Sequence, residues 1–317
     1  MSYDDVARRI ADPKAIGLTE ELAKKLKIRD PDVTRGQLMS EADERGHVGV
    51  YFLAAYVIDD TDLIGKGEIY WWSIPVLGDS DGSVTWNAKL GLPSGAAPTK
   101  CGDKEWLKSL SLADPPLLAL IPPGDEYAAC LIKFALYDDD GAVADVPKAM
   151  TAGLTALAGL PLEYPLGKPE AIFQPVRHAI FESLRAKQDD LLIEEDIRLL
   201  RNDVSHYGAG MISSHMSALA RVYLLAKDEV RTQALAPVTL VKEQAHTFKF
   251  GKPIARGGRV AVFARGEVDA GRLGALTLDQ PFLNHIVVDD ASAAALANGI
   301  TVTAKGNAEV VAFYTSP

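Results

Sequence analysis

Two apolar runs in this chain end in consecutive aspartates: YVIDDTD over Tyr56 to Asp62 and ALYDDDG over Ala135 to Gly141. Carboxylates gathered at the end of a buried strand must be hydrated, paired or bound to a metal, because a lone charge is costly to take out of water. A hard cation such as calcium takes six to eight oxygen ligands, which acidic side chains and backbone carbonyls of neighbouring loops can supply. Asp59, Asp60, Asp62, Asp138, Asp139 and Asp140 are therefore the candidate metal ligands, with calcium as the candidate ion. Asp79 and Asp81 join them if their loop converges on the others.

The competing reading is local. Asp is common where strands enter turns, since its carboxylate accepts nearby backbone N–H groups. A third junction, IVVDDAS over Ile286 to Ser292, fits that reading, with Asp290 ahead of an Ala-rich turn as a helix cap. Convergence of the first two runs favours ion binding; separation leaves them as turn residues.

Other chemistry is thinly represented. The six histidines are scattered and form no HExxH pair. Asp203, Ser205 and His206 have the residue types of a hydrolytic triad, but neighbours along a helix point apart, and no G-x-S-x-G elbow is present. GKGEIY, ARGGRVAVFARG and GAGM contain glycines without P-loop or dinucleotide-site spacing and read as turns. Tyr70, Trp71 and Trp72 lie on one run, where alternation sends Trp71 to the opposite face from the other two. One of those faces is core, and the other is core or a contact surface.

These groups need elements to position them. Residues 1–45 read as a helical lead, with Thr19 as an N-cap and Leu22, Ala23 and Leu26 on one face. Residues 46–145 read as a β-sandwich-like region, with strands expected at 47–58, 66–76, 83–87, 116–121 and 128–137. The stretch from Gly91 to Pro116 is rich in Gly and Pro, with room for one short helix near Asp103 to Leu110. Residues 146–235 read as helical: apolar residues recur at Ile172, Val176, Ile180, Leu184, Leu191, Ile197, Leu200 and Val204, then at Ile212, Met216, Leu219, Tyr223 and Val230. With the Gly208-Ala209-Gly210 break between them, the two runs predict a long helical hairpin. Residues 236–317 return to β-branched and aromatic runs about ten residues apart, the cadence of an antiparallel sandwich or jelly roll. The expected class is thus α+β: a sandwich with a helical lead, a helical hairpin and a second β-sandwich.

Arranged with acidic loops beyond its strand ends, the region 46–145 resembles a calcium- and lipid-binding β-sandwich of the C2 type. The resemblance implies calcium-dependent contact with a membrane surface through those loops.

Composition narrows the function classes. The 317 residues suffice for about two domains, and 48% hydrophobic content fits a packed globule. A net charge of -10 argues against general nucleic-acid binding. Cys101 and Cys130 are too few for a disulfide scaffold, which points to a reducing compartment. The polar start MSYDDVARRIADPKAIG lacks an apolar signal core, so cytoplasmic synthesis is expected, although non-classical export leaves no sequence mark. No run approaches the roughly 20 apolar residues of a membrane-spanning helix. Without a nucleophile motif, metal-ligand pair or phosphate loop, the sequence argues for a non-enzymatic protein that self-assembles or binds a protein partner. Calcium-dependent membrane or ligand binding through the aspartate loops is the alternative. A hydrolase whose site forms only on folding is a third reading, and pore formation by the amphipathic hairpin a fourth.

Overall fold

Alternating apolar positions and β-branched residues draw this chain into strands, and sheets are what the computed structural model contains. It describes residues 28–29, 48–61, 66–78, 84–86, 89–91, 99–121, 129–139, 190–200 and 210–317, with isolated positions at 148, 152, 155 and 178. The first twelve strands are β1 (Ile28–Arg29), β2 (Val48–Val57), β3 (Gly67–Gly78), β4 (Val84–Trp86), β5 (Lys89–Gly91), β6 (Thr99–Cys101), β7 (Glu105–Trp106), β8 (Leu117–Ile121), β9 (Ala129–Asp138), β10 (Asp190–Leu200), β11 (Gly210–Met216) and β12 (Ala220–Asp228).

They form two facing sheets. One has the order β1-β4-β3-β9-β10, with β5 and β6 also paired to β3; the other runs β11-β12-β2-β7, with β8 also paired to β2. All pairings are antiparallel except β1 with β4. The core between the sheets takes alternate residues of each strand: Val48, Val50 and Phe52 from β2, Ile132, Phe134 and Leu136 from β9, and Val222, Leu224 and Ala226 from β12. Trp71 joins this core, and Tyr70 and Trp72 are buried on the other face of their sheet, so all three aromatics are interior.

The second sandwich follows: β13 (Thr232–Ala234), β14 (Val238–Leu240), β15 (Ala245–Phe248), β16 (Arg259–Arg265), β17 (Val268–Asp269), β18 (Ala275–Leu276), β19 (Phe282–Val287), helix α1 (Asp290–Leu296), β20 (Ile300–Ala304) and β21 (Ala308–Thr315). Its sheets are β13-β21-β16-β19, with β14 paired to β21, and β15-β20-β17-β18. The antiparallel C-terminal strands expected from the sequence are present. The α1 N-cap is Asp289 rather than Asp290: its carboxylate accepts the Ser292 N–H at 2.6 Å.

Alternation on the inner sheets builds a third apolar layer. Val260, Val262 and Ala264 of β16 enter the second sandwich's core, while Ala261 and Phe263 point the other way and meet Leu53, Ala54, Tyr223 and Leu225 of the first. The four sheets therefore stack in series, with a seam of Phe263, Phe282, Val311 and Phe313 against Tyr223 and Trp106.

The expected α+β class with a long helical hairpin is overturned. Of the residues assigned to the helical arms, Leu191, Ile197 and Leu200 lie in β10, Ile212 and Met216 in β11 and Tyr223 in β12, Leu219 and Val230 lie in the turns flanking β12, and Val204 lies outside the described residues. In β12, Val222 and Leu224 face one core while Tyr223 and Leu225 face the seam, so the strand is apolar on both faces and shows no two-residue alternation. In β10, a bulge between Leu191 and Ile193 adds a residue, and the apolar positions drift out of period. Short apolar runs of this kind fit a helix and a strand equally well. His178, also on the first expected arm, is helical, as are Lys148, Ala152 and Thr155. Residues 103–110 form turns around β7 rather than a helix. Apart from β1, the N-terminal lead lies outside the described residues.

Candidate metal centre

One end of the first sandwich collects the last residue of β2, the first of β3, the β6–β7 turn and the junction of β9 with β10. The chain leaves β2 with Ile58 and Asp59, whose N–H groups both donate to the Leu219 carbonyl at 2.7 and 3.1 Å. It then turns sharply at Thr61, which adopts a φ of 67° while its N–H donates to Asp59 Oδ1 at 3.0 Å. Thr61 Oγ1 donates to Asp190 Oδ2 at 2.8 Å, tying the turn to the start of β10.

Asp60 is the buried member, with 3% of its surface exposed. Its Oδ2 accepts the Gly67 N–H at 3.0 Å, and its own N–H donates to Asp103 Oδ1 at 2.9 Å. Asp103 belongs to the β6–β7 turn, where Lys104 has a φ of 57°. Ligand oxygens of Asp59, Asp60 and Asp103 all come within 4.8 Å of one another. Each carboxylate is anchored by at least one backbone N–H, which fixes its direction and offsets part of the mutual repulsion.

The second aspartate run reaches the same end. Asp138 Oδ1 accepts the Glu68 N–H at 2.6 Å, and the Asp139 N–H donates to the Glu68 carbonyl at 3.0 Å. Asp60 and Asp138 thus hold the successive amides of Gly67 and Glu68, one from each acidic run. Gly67 makes room for both: a Cβ there would stand 2.4 Å from Asp138 Oδ2 and 3.0 Å from the Asp60 Cβ. Asp138 and Asp139 are buried.

Beneath the turn lies Cys101, whose thiol is pushed up to about 12, chiefly by burial and then by the negative charges of Glu105 and Asp60. It is protonated and inert at neutral pH. Glu105 accepts from Lys66 Nζ at 2.5 Å and from the Gly102 N–H at 3.2 Å, and the Lys66 hydrogen bond holds its carboxyl below the usual glutamate value.

Of the six expected ligands, Asp59 and Asp60 enter the three-carboxylate cluster, and Asp138 and Asp139 lie at the same strand end in backbone-holding roles. Asp62 and Asp140 lie outside the described residues, as do Asp79 and Asp81. Sequence reasoning missed Asp103, Asp190 and Gly67. The Gly102-Asp103-Lys104 turn carried a usable signal inside the Gly- and Pro-rich stretch; the gap of 43 residues to Asp60 hid the partnership.

The residues fit a hard cation in kind: the donors are carboxylate oxygens without sulfur or imidazole, and three carboxylates supply part of the six to eight oxygens required. Carbonyls of the same turns and water would complete such a shell.

No known protein family matches the sequence, and no curated protein does. Among solved structures, human GIVD cytosolic phospholipase A2 in complex with methyl gamma-linolenyl fluorophosphonate is similar over 86% of this chain and 32% of its own, at 10% identity and a TM-score of 0.27. The same enzyme with that inhibitor and terbium chloride gives 9% identity and a TM-score of 0.23 over the same shares. The chain spans about a third of that enzyme's length, and at these TM-scores the likeness carries no argument.

Proposed function

We propose that this chain is a non-enzymatic binding protein whose acidic sandwich end holds calcium and uses the ion to dock on an anionic phospholipid surface. The observation that carries this reading is the convergence of Asp59, Asp60 and Asp103 from two separate turns to within 4.8 Å. Two further features support it. Backbone donors orient the carboxylates in advance, and the second acidic run closes on the same strand end. A calcium ion there converts a net negative rim into one that attracts phosphate headgroups, as a bound cation is the largest local charge in such a site.

The test is sedimentation with vesicles of phosphatidylserine and phosphatidylcholine. Calcium-dependent pelleting, lost with chelator and in the Asp59→Asn/Asp103→Asn double variant, is expected. Equal partition with and without millimolar calcium would remove the membrane reading.

A second reading, association with another copy or a protein partner, is favoured by Met216. This side chain is 66% exposed at the end of β11, which is the outer strand of its sheet among the described residues. Light scattering across a concentration series tests it: a growing mass supports self-association, and a constant monomer mass counts against it. Among the described residues no helix is long and apolar enough to cross a membrane.

A further inference from the structure

The seam between the two sandwiches carries two guanidinium groups that cross it in opposite directions. Arg265, at the end of β16, sends Nη2 to the Leu53 carbonyl of β2 at 3.2 Å while Nη1 meets Glu309 Oε2 at 3.3 Å. Its side chain is 9% exposed. Leu53 is the extra residue of a β-bulge, since Phe52 pairs with Leu224 and Ala54 with Tyr223. In the other direction, Arg221 of β12 sends Nη1 to the Leu278 carbonyl at 3.2 Å and to Asp279 Oδ1 at 2.8 Å.

Between the two clasps lies the aromatic cluster. Phe263 meets Trp106 edge-on at 6.1 Å and Tyr223 at 5.5 Å, and Phe282 lies 6.4 Å from Phe263. Separation of the sandwiches would expose this apolar layer and strip the buried Arg265 of the Leu53 carbonyl, its acceptor across the seam, leaving only Glu309 of its own sandwich.

We infer that the two sandwiches are locked into one cooperative unit by the crossed Arg221 and Arg265 clasps, so that the C-terminal sandwich is held in a fixed pose and does not swing on a linker. The Arg265 clasp is buried, where hydrogen bonds to a charged group are among the stronger ones, whereas the Arg221 clasp lies at the rim, with Asp279 83% exposed, and adds less. Tandem domains joined by small polar contacts move independently; this seam is large, apolar and pinned on both sides.

Urea unfolding of the full chain tests the lock with two regional reporters. All four tryptophans lie in the first sandwich, at Trp71, Trp72, Trp86 and Trp106; Trp106 packs on Phe263 at the seam, so every chain compared carries Trp106→Phe as background, and the remaining fluorescence follows the first half. Hydrogen exchange in the peptide 308–315 follows the second. Wild type is expected to show one shared midpoint. In Arg221→Met/Arg265→Met, exchange in 308–315 below the fluorescence midpoint should rise at least about tenfold, and the two midpoints should separate. Separate midpoints in the wild type would overturn the inference, as would coincident midpoints in the variant. If the double variant does not fold, Arg221→Lys/Arg265→Lys, which keeps both charges without the forked donors, is read by the same criteria.

Discussion

Gly67→Ala is the substitution whose cost is most directly worked from the geometry. The new methyl would stand 2.4 Å from Asp138 Oδ2, 3.0 Å from Asp138 Cγ and 3.0 Å from the Asp60 Cβ. Both neighbours are buried, and each is held by a backbone hydrogen bond, so neither yields without loss. Moving Asp138 away breaks its 2.6 Å bond from the Glu68 N–H and leaves a donor to be satisfied, which costs about 1–3 kcal/mol. Forcing a methyl into filled space costs about 1–3 kcal/mol more. Against this, alanine restricts the unfolded chain and returns about 0.4–1 kcal/mol, because Gly67 is not among the positive-φ residues. The loss terms win, with a net destabilisation of about 1–5.5 kcal/mol. Urea denaturation followed by tryptophan fluorescence measures it, since Trp71 and Trp72 lie on the same strand as Gly67. A midpoint equal to or above that of wild type would refute the reasoning that Gly67 is the spacer between the acidic runs.

Three other outcomes are expected. Glu105 titrates below the ordinary glutamate value because Lys66 bonds to its charged form, so its contribution to stability is present above the unfolded-state value and fades as pH falls through the lower folded one; a carboxyl titration by NMR that places it at or above the ordinary value would contradict this. Asp289→Ala removes the α1 N-cap and lowers the melting temperature, whereas Asp289→Asn is nearly neutral; equal melting of both variants would show that the cap does not act. Cys101, buried and with its thiol pushed up to about 12, resists iodoacetamide at pH 8 in the native protein and reacts only after unfolding; rapid native labelling would count against the packing described.

The strands around the site were legible because each carried its own signal. The run expected at 47–58 is β2 at Val48–Val57, and that at 128–137 is β9 at Ala129–Asp138. β9 ends in the first aspartate of its run, and β2 ends two residues before its own, at Val57. What was not legible arises from the stacking of four sheets. A strand in an inner layer has two buried faces, so β12 is apolar without a break from Val222 to Ala226, and its Tyr223, with Leu219 before the strand and Val230 after it, mimics helical spacing. Bulges in β2 and β10 add residues that shift the alternation further. Asp59 and Asp60 could be singled out as acidic residues at a strand end, but their partner Asp103 is set by how β6 and β7 bridge the two sheets, which no local pattern encodes. Gly67 illustrates the same limit: among many glycines, its role depends on two carboxylates arriving from distant segments.

The most direct test of the cation-binding account is isothermal titration of calcium into the wild-type chain and into Asp103→Asn. Saturable binding by the wild type, with affinity at least about tenfold weaker in the variant, is the expected result, because affinity at an oxygen site follows the number of charged ligands. Absence of binding heat up to millimolar calcium, or equal binding by both proteins, would contradict the assignment of Asp59, Asp60 and Asp103 as a metal centre.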